Sequence, residues 1–308
     1  MSNNLVGRVW WTVRRLMSFV TPSQCSRMFE ISRRLDTTSI RVEPARRIRV
    51  LNSVVSMATA RPADGPIWAV TMVKNEEDII EEMIMNLLSE GIDHVLVADN
   101  GSTDRTRAIV RGLSSHLPVH LVVDPITQFW QAEKISHLAR AATRMGASWI
   151  VPADADELWR GEDGRSIADV LHASTADVVE ASWWNYVPIT TNEATAYASR
   201  FPYREVAAHA QVKVAFRANW LARVTHGNHN VTVPGSQRSP GLRIAHYRFR
   251  SPSQVLQKAG DGAASMRSAG WRNPQWSRLD GSTQQAAAEL ILRLTSSETL
   301  VYDPSADW

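Results

Sequence analysis

One cysteine, Cys25, is present among 308 residues, so no internal disulfide can form. That scarcity excludes a disulfide framework and suits a reducing compartment. No run of about 18 or more apolar residues occurs, which excludes a bilayer-spanning helix. A secretory signal is not legible either, because Arg14 and Arg15 break the only early apolar run. The expectation is a cytoplasmic protein, peripheral at most on the inner membrane face. Internal repeats and low-complexity tracts are missing, which argues against a repeat architecture. Lysine is absent from residues 1–61, where 11 arginines face only Glu30, Asp36 and Glu43. This segment carries +8, leaving −5 for the remainder of a chain whose total is +3.

What is there fits a globular enzyme: 44% hydrophobic and 21% charged residues. A basic arm on a mildly acidic body points to an anionic contact for the arm. Residues 5–20 read as a helix placing Trp10, Trp11 and Leu16 beside arginines, a mix that suits an anionic membrane surface reached through residues 1–20. The alternative is a helix packed on the body or a disordered arm. No nucleic-acid-binding module is recognisable. Residues 58–66 are rich in breakers, so the expected division is a basic arm and linker over 1–62, a catalytic domain over 63–252 and a helical extension over 253–308.

Beyond the linker, strand and helix patterns alternate. Ile67–Val73, Val95–Ala98, Val119–Val123 and Trp149–Val151 read as short buried strands. Between them Glu76–Glu90, a segment running to Leu113 and Ala132–Met145 read as amphipathic helices. This rhythm predicts an α/β fold, a mostly parallel sheet with helices on both faces. Past about residue 175, strand-like pieces over Val178–Trp184, Val212–Phe216 and Leu221–Thr225 precede two helical stretches, Ser253–Met266 and Thr283–Leu294.

In such sheets ligands bind beyond the carboxyl ends of the strands. Here those ends are polar: Lys74-Asn75-Glu76, then Asp99-Asn100-Gly101, then Asp154-Ala155-Asp156-Glu157. Asp154 and Asp156 are two apart, so in extended backbone they share a face. Such a pair can hold Mn²⁺ or Mg²⁺, ions that take few protein oxygens and complete their shell with substrate phosphates. The bland reading of an acid-x-acid triplet is an acidic turn; its place behind a buried strand favours the functional one. Glu162 and Asp163 read as a solvated turn.

The segment MVKNEEDIIEEMIMNLLSEGIDHVLVADNGSTDRT resembles the opening of glycosyltransferase family 2, with PADADELW resembling its Asp-x-Asp motif. KVAFR, HGNHN and HYRFRS resemble the branch close to family 92. The resemblance spans about residues 67–255 and implies a GT-A-type, Rossmann-like nucleotide-diphospho-sugar transferase fold. It implies a metal-dependent, inverting transferase moving a sugar from a nucleoside diphosphate sugar, by family habit a UDP-sugar, to a glycan, lipid or other hydroxyl acceptor.

Residue by residue, the resemblance implies that Asp99, Asn75 and Glu76 line the nucleoside pocket with Lys74 beside them. Asp156 would be the main metal ligand and Asp154 a contact to ribose or a metal-bound water. Lys134 would face donor or phosphate, His246 would be a third metal ligand, and Arg248 or Arg250 a phosphate contact. The blander roles are a turn or cap for Asp99, a solvated Lys134, and structural histidines, including His226 and His229. No Glu-Asp follows the metal motif within 175–225, leaving Glu157, Glu180, Glu193 and Glu205 as candidate bases, with Glu157 first on proximity. Trp183 and Trp184 are candidates for an acceptor wall or for core. A nucleotidyltransferase would need a glycine-rich loop after the first strand, and TMVKNEED has none. A catalytically inactive scaffold or a glycan-binding protein stays as the other reading.

Overall fold

The computed structural model describes residues 65–126, 128–188, 201–233, 236–268, 279–295 and 299–303. The basic arm, and with it the helix expected over residues 5–20, lies outside the described residues, as does Glu193. No helix among them is long and apolar enough to cross a membrane.

β1 (Ile67–Val73), β2 (His94–Asp99), β3 (Val119–Val123) and β4 (Trp149–Pro152) run parallel in the order β3-β2-β1-β4. They are joined by α1 (Ile80–Ser89), α2 (Thr106–Leu113) and α3 (Gln131–Arg144). Both faces are buried, and the period of two separates them cleanly. Ile67, Ala69, Val95 and Val97 enter one core with α1, while Trp68, Val70, Leu96 and Ala98 enter the other with α3. α1 begins four residues later than the helical pattern, because Asn75 takes a φ of 54° and residues 77–79 form a turn. Gly91, at φ 85°, ends the helix where a Cβ would stand 2.6 Å from the Ala168 Cβ.

The second half extends this sheet. β6 (Val178–Val187) and β8 (Lys213–Arg217) are antiparallel to each other, and β8 is antiparallel to β4. On its other side β6 runs parallel to β11 (Arg238–His246), which pairs with β5 (Glu157–Gly161). β7 (Tyr203–Glu205) borders β6, and β12 (Leu300–Tyr302) borders β7, so the segment expected as helical also supplies an edge strand. β9 (Arg223–Val224) and β10 (Val231–Thr232) make a small ribbon, α4 (Ile167–Ala173) packs beside β5, and α5 (Pro252–Ser268) and α6 (Gln284–Thr295) follow β11. α4, which the sequence reading did not identify, opens on a capping box: the Ser166 hydroxyl accepts from Asp169 N–H and the Asp169 carboxylate accepts from Ser166. The net result is one curled, mixed sheet whose parallel strands end on a common rim.

Candidate active site

At that rim the loops after β1 and β2 are tied together by Asn75. Its left-handed backbone, which asparagine tolerates, directs Oδ1 to accept from the N–H groups of Thr103 (2.8 Å) and Asp104 (3.4 Å). Asp99, fully buried, accepts from Arg107 Nε (2.7 Å) and Nη2 (2.6 Å) and from Ser102 N–H (3.2 Å). As folded, its carboxylate presents no exposed edge to a nucleoside. Lys134 pairs with Asp124 (2.7 Å) and donates to the carbonyls of Ile126 and Gln128, organising the loop after β3. Burial lowers its pKa despite Asp124.

The acid pair after β4 divides between two neighbourhoods. Asp154 Oδ1 accepts from Gln131 Nε2 and Asn228 Nδ2, both at 2.9 Å, and Oδ2 accepts from Lys213 Nζ (2.6 Å). Lys213 also reaches Glu157 Oε1 (2.6 Å). Glu157 Oε2 accepts from Asp154 N–H (3.1 Å) and the indole N–H of Trp159 (3.2 Å). Burial pushes Glu157 up to about 7 against the pull of Lys213, while Asp154 and Glu157 overcome burial to hold Lys213 above its ordinary value. At 1% exposure the Glu157 side chain faces the interior, with Lys213 as its ionic partner.

Asp156 faces the other way. Its Oδ2 lies 2.5 Å from Lys258 Nζ and 3.4 Å from His246 Nε2. Lys258 also touches Glu76 Oε1 (3.2 Å). Burial works against the Asp156 carboxylate, but the Lys258 ammonium holds it well below the usual carboxylate range. Burial likewise lowers His246, in spite of Asp156. A chain of side chains sets the His246 ring: Asn185 Nδ2 donates to Glu205 Oε2 (2.9 Å), which turns Asn185 Oδ1 toward His246 Nδ1 (2.8 Å). Nδ1 must then carry the proton, leaving the Nε2 lone pair aimed at Asp156.

Thus Glu76, Asp156 and His246 come together around Lys258, Asp154 and Glu157 around Lys213, and Lys74 and Asn75 at Asp261 (3.5 and 2.5 Å). Asp99 and Lys134 each sit in a separate pair on the same rim. Of the two arginines, Arg250 is completely buried between Glu76 (2.5 Å) and Asp78 (2.7 Å), a staple fastening the loop after β1 to the start of α5. Arg248 lies against Phe249 and within the field of Asp156 and Glu205. His226 stacks near Phe129, whereas His229 turns Nδ1 to the carbonyl of Val212 (3.0 Å), so the two point to different partners. Trp183 is buried with His209 stacked on it at 3.9 Å, and Trp184 lies under Arg204 and Arg243.

Gln131, Asn185, Lys258 and Asp261 escaped the sequence reading, while Lys213 and Asn228 lay inside KVAFR and HGNHN without an assigned role. Lys213 alone had a local signal: a lysine opening an apolar strand needs a carboxylate partner once buried.

The family model for glycosyl transferase family 2 matches residues 68–230. The chain belongs to that family. The fold described above is therefore the GT-A type, and the protein is a glycosyltransferase by family. No curated protein matches the transferase in sequence. Among solved structures, the mannosyltransferase PcManGT from Pyrobaculum calidifontis in complex with GDP-Man and Mn²⁺ is 16% identical, covers 90% of this chain and 88% of its own, and gives a TM-score of 0.40. S. aureus TarS 1–349 in complex with UDP-GlcNAc is 18% identical over 39% of this chain and 35% of its own, at a TM-score of 0.33. The same protein with UDP is 12% identical over 76% and 72%, at 0.37.

Proposed function

We propose that the transferase moves a sugar from a nucleoside diphosphate sugar, a UDP-sugar by family habit, to a glycan or lipid-linked hydroxyl with inversion, using Mn²⁺ or Mg²⁺ held by Asp156 and His246. The observation that carries this is the pair Asp156 Oδ2 and His246 Nε2, two lone-pair donors 3.4 Å apart and turned toward one another. Two acceptors so placed call for a cation beside them, a place the Lys258 ammonium takes in this structure, and a neutral imidazole with its other nitrogen held by a polar partner is how a histidine ligand is presented. The donor set therefore fits a divalent ion, and an imidazole in it favours Mn²⁺ over Mg²⁺. Among the described residues no three His, Cys, Asp or Glu side chains converge as a closed metal cage. Two protein ligands suffice where diphosphate oxygens and water complete the shell. When bound, the ion would neutralise charge on the departing diphosphate.

The chain's own groups divide the remaining work. Asp154, a quarter exposed, keeps an edge for the ribose while fixing Gln131 and Asn228. Glu157 positions Asp154 through its backbone N–H. Lys74 and Asn75 border the nucleoside, Glu76 anchors the cation side, and Arg248 contacts phosphate. Glu205 is the base: Glu180 pairs with Arg238 (3.2 Å) near the far end of β6, whereas Glu205 lies opposite Asn185 at the rim, beside the His246 support. Asp99 and Lys134 shape the rim from their own ion pairs. The functional unit extends past residue 252, since α5 supplies Lys258 and Asp261. The motif that resembles the branch near family 92 includes His246, which lies against Asp156, and Arg248, which lies within its field. A cytoplasmic protein touching an anionic membrane through residues 1–20 agrees with the charge of the arm.

Calorimetry with UDP and with GDP, each with and without Mn²⁺, tests the reading. Nucleotide binding that tightens at least tenfold with Mn²⁺ is expected; equal binding without metal would refute the metal role. The inactive-scaffold reading has its own support, since both carboxylates of the acid pair already carry lysine partners. Donor hydrolysis or transfer separates it from the transferase.

A further inference from the structure

Lys258 lies on α5, beyond the matched segment 68–230, yet its ammonium touches the two carboxylates that face the cation position, Asp156 and Glu76. Its counterpart Lys213 is locked: 6% exposed and bound to two carboxylates that have no other cation in contact among the described residues. Lys258 is 25% exposed, and Glu76 does not depend on it, because Arg250 holds the second oxygen of that carboxylate at 2.5 Å. Removing Lys258 from Glu76 therefore leaves no buried charge unpaired. Asp156 would likewise keep a partner if a divalent ion arrived beside His246.

Resting on the metal-assisted transfer proposed above, we infer that Lys258 is the resident counter-ion of Asp156 in the absence of donor and a diphosphate-binding residue in its presence. A divalent cation and an ammonium cannot both lie against Asp156 Oδ2 without mutual repulsion. A lysine displaced there has a four-carbon stem with which to follow the charge. The nearest new anion is the diphosphate that the cation brings. The ligand class is thus the diphosphate of a nucleotide, recognised by an ammonium contributed from outside the family segment. The exchange conserves charge at the rim: Lys258 leaves one anion for another. α5 need not unfold, since Arg250 pins its start to Asp78 and Asp261 bonds Asn75.

The test uses the full chain with Lys258→Met and Lys258→Arg, reading free Mn²⁺ by electron paramagnetic resonance and UDP and GDP binding by calorimetry. Without nucleotide, Lys258→Met should bind Mn²⁺ about tenfold more tightly than the parent, because the competing ammonium is gone. With saturating Mn²⁺ the same variant should bind the preferred nucleotide about tenfold more weakly, and Lys258→Arg should recover most of that loss. Opposite signs for metal and nucleotide are the signature, because a residue that merely packs would weaken both or neither. Unchanged Mn²⁺ and nucleotide affinities in Lys258→Met, in a parent that binds both, would overturn the role of Lys258 alone. A parent that binds nucleotide without any help from Mn²⁺ would overturn the metal reading and this inference together.

Discussion

Asp154 and Asp156 are separated by one alanine, yet their surroundings have different origins and different natures. Every side chain on Asp154 comes from residues 68–230: Gln131, Lys213 and Asn228, with Glu157 behind them. Those on Asp156 come from beyond that segment, His246 at the end of β11 and Lys258 on α5. The first neighbourhood is a satisfied network in which each carboxylate oxygen of Asp154 has a donor. The second pairs one carboxylate with a partly exposed ammonium and an imidazole lone pair. A family segment thus builds the rigid side of the rim, and the downstream chain supplies the exchangeable side. Exchangeability, not acidity, is what marks Asp156 as the better candidate for a cation.

The largest expected effect separates the two aspartates. Asp156→Ala should lower turnover by roughly 10³-fold or more, since a bound ion at a leaving group is worth several kcal/mol, with little loss of folding stability. Asp154→Ala should instead lose about 1–3 kcal/mol of stability, because Gln131 and Asn228 would keep buried donors without an acceptor. Transfer assays beside urea unfolding of both variants decide this. Equal losses of stability would erase the distinction between the neighbourhoods.

The lysines sharpen it next. Lys213→Met strands Asp154 and Glu157 and should cost roughly 3–5 kcal/mol, with Glu157→Gln recovering part of it. Lys258→Met leaves Glu76 paired with Arg250 but strands Asp156 until a cation binds, so it should cost about 1–3 kcal/mol without metal, less than Lys213→Met. Both are read from denaturant midpoints at unchanged slope. A comparable penalty at Lys258 would make it a structural staple like Arg250.

How far the sequence carried this picture follows the same division. The four parallel strands and three helices were legible because each is a locally consistent apolar run with its own stop signal. The polar strand ends were legible too, since strand polarity dictates which rim they share. β11 was not: Pro240 and Gly241 interrupt it, and only the structure reveals the register shift between Pro240 and Leu242 that lets pairing continue through them. His246 was reached through resemblance alone. Lys258 carried no signal, being a lysine on an ordinary helix whose partners lie 102 residues back at Asp156 and further back at Glu76. Glu157 shows the converse, where adjacency to the acid pair suggested catalysis and the side chain turns inward to Lys213.

A smaller effect addresses the support beneath His246. Asn185→Ala removes the acceptor that holds Nδ1–H and leaves Glu205 without its amide partner. Mn²⁺ affinity should fall about 10- to 100-fold, the usual consequence of losing a group that orients a metal-binding histidine. Asn185→Asp keeps an acceptor on Nδ1 and should retain metal binding better than alanine does. Identical behaviour of the two variants, measured by Mn²⁺ titration, would mean that the ring is held by packing against Trp183, which it meets edge-on at 5.0 Å.

The smallest effect tests whether the exchangeable side is a side chain or a whole helix. Asp261 is about one-third exposed and bonds Asn75 and Lys74 from α5, one turn beyond Lys258. Asp261→Asn should change stability by less than about 1 kcal/mol, as exposed pairs do. If Lys258 exchanges partners by swinging its own stem, Mn²⁺ affinity in Asp261→Asn should stay within twofold of the parent. A gain as great as that expected for Lys258→Met would show that loosening α5 is equivalent to removing its ammonium. The rim would then open by movement of the helix as a body, with Asp261 as the latch and Arg250, buried against Asp78, as the fixed point about which it turns.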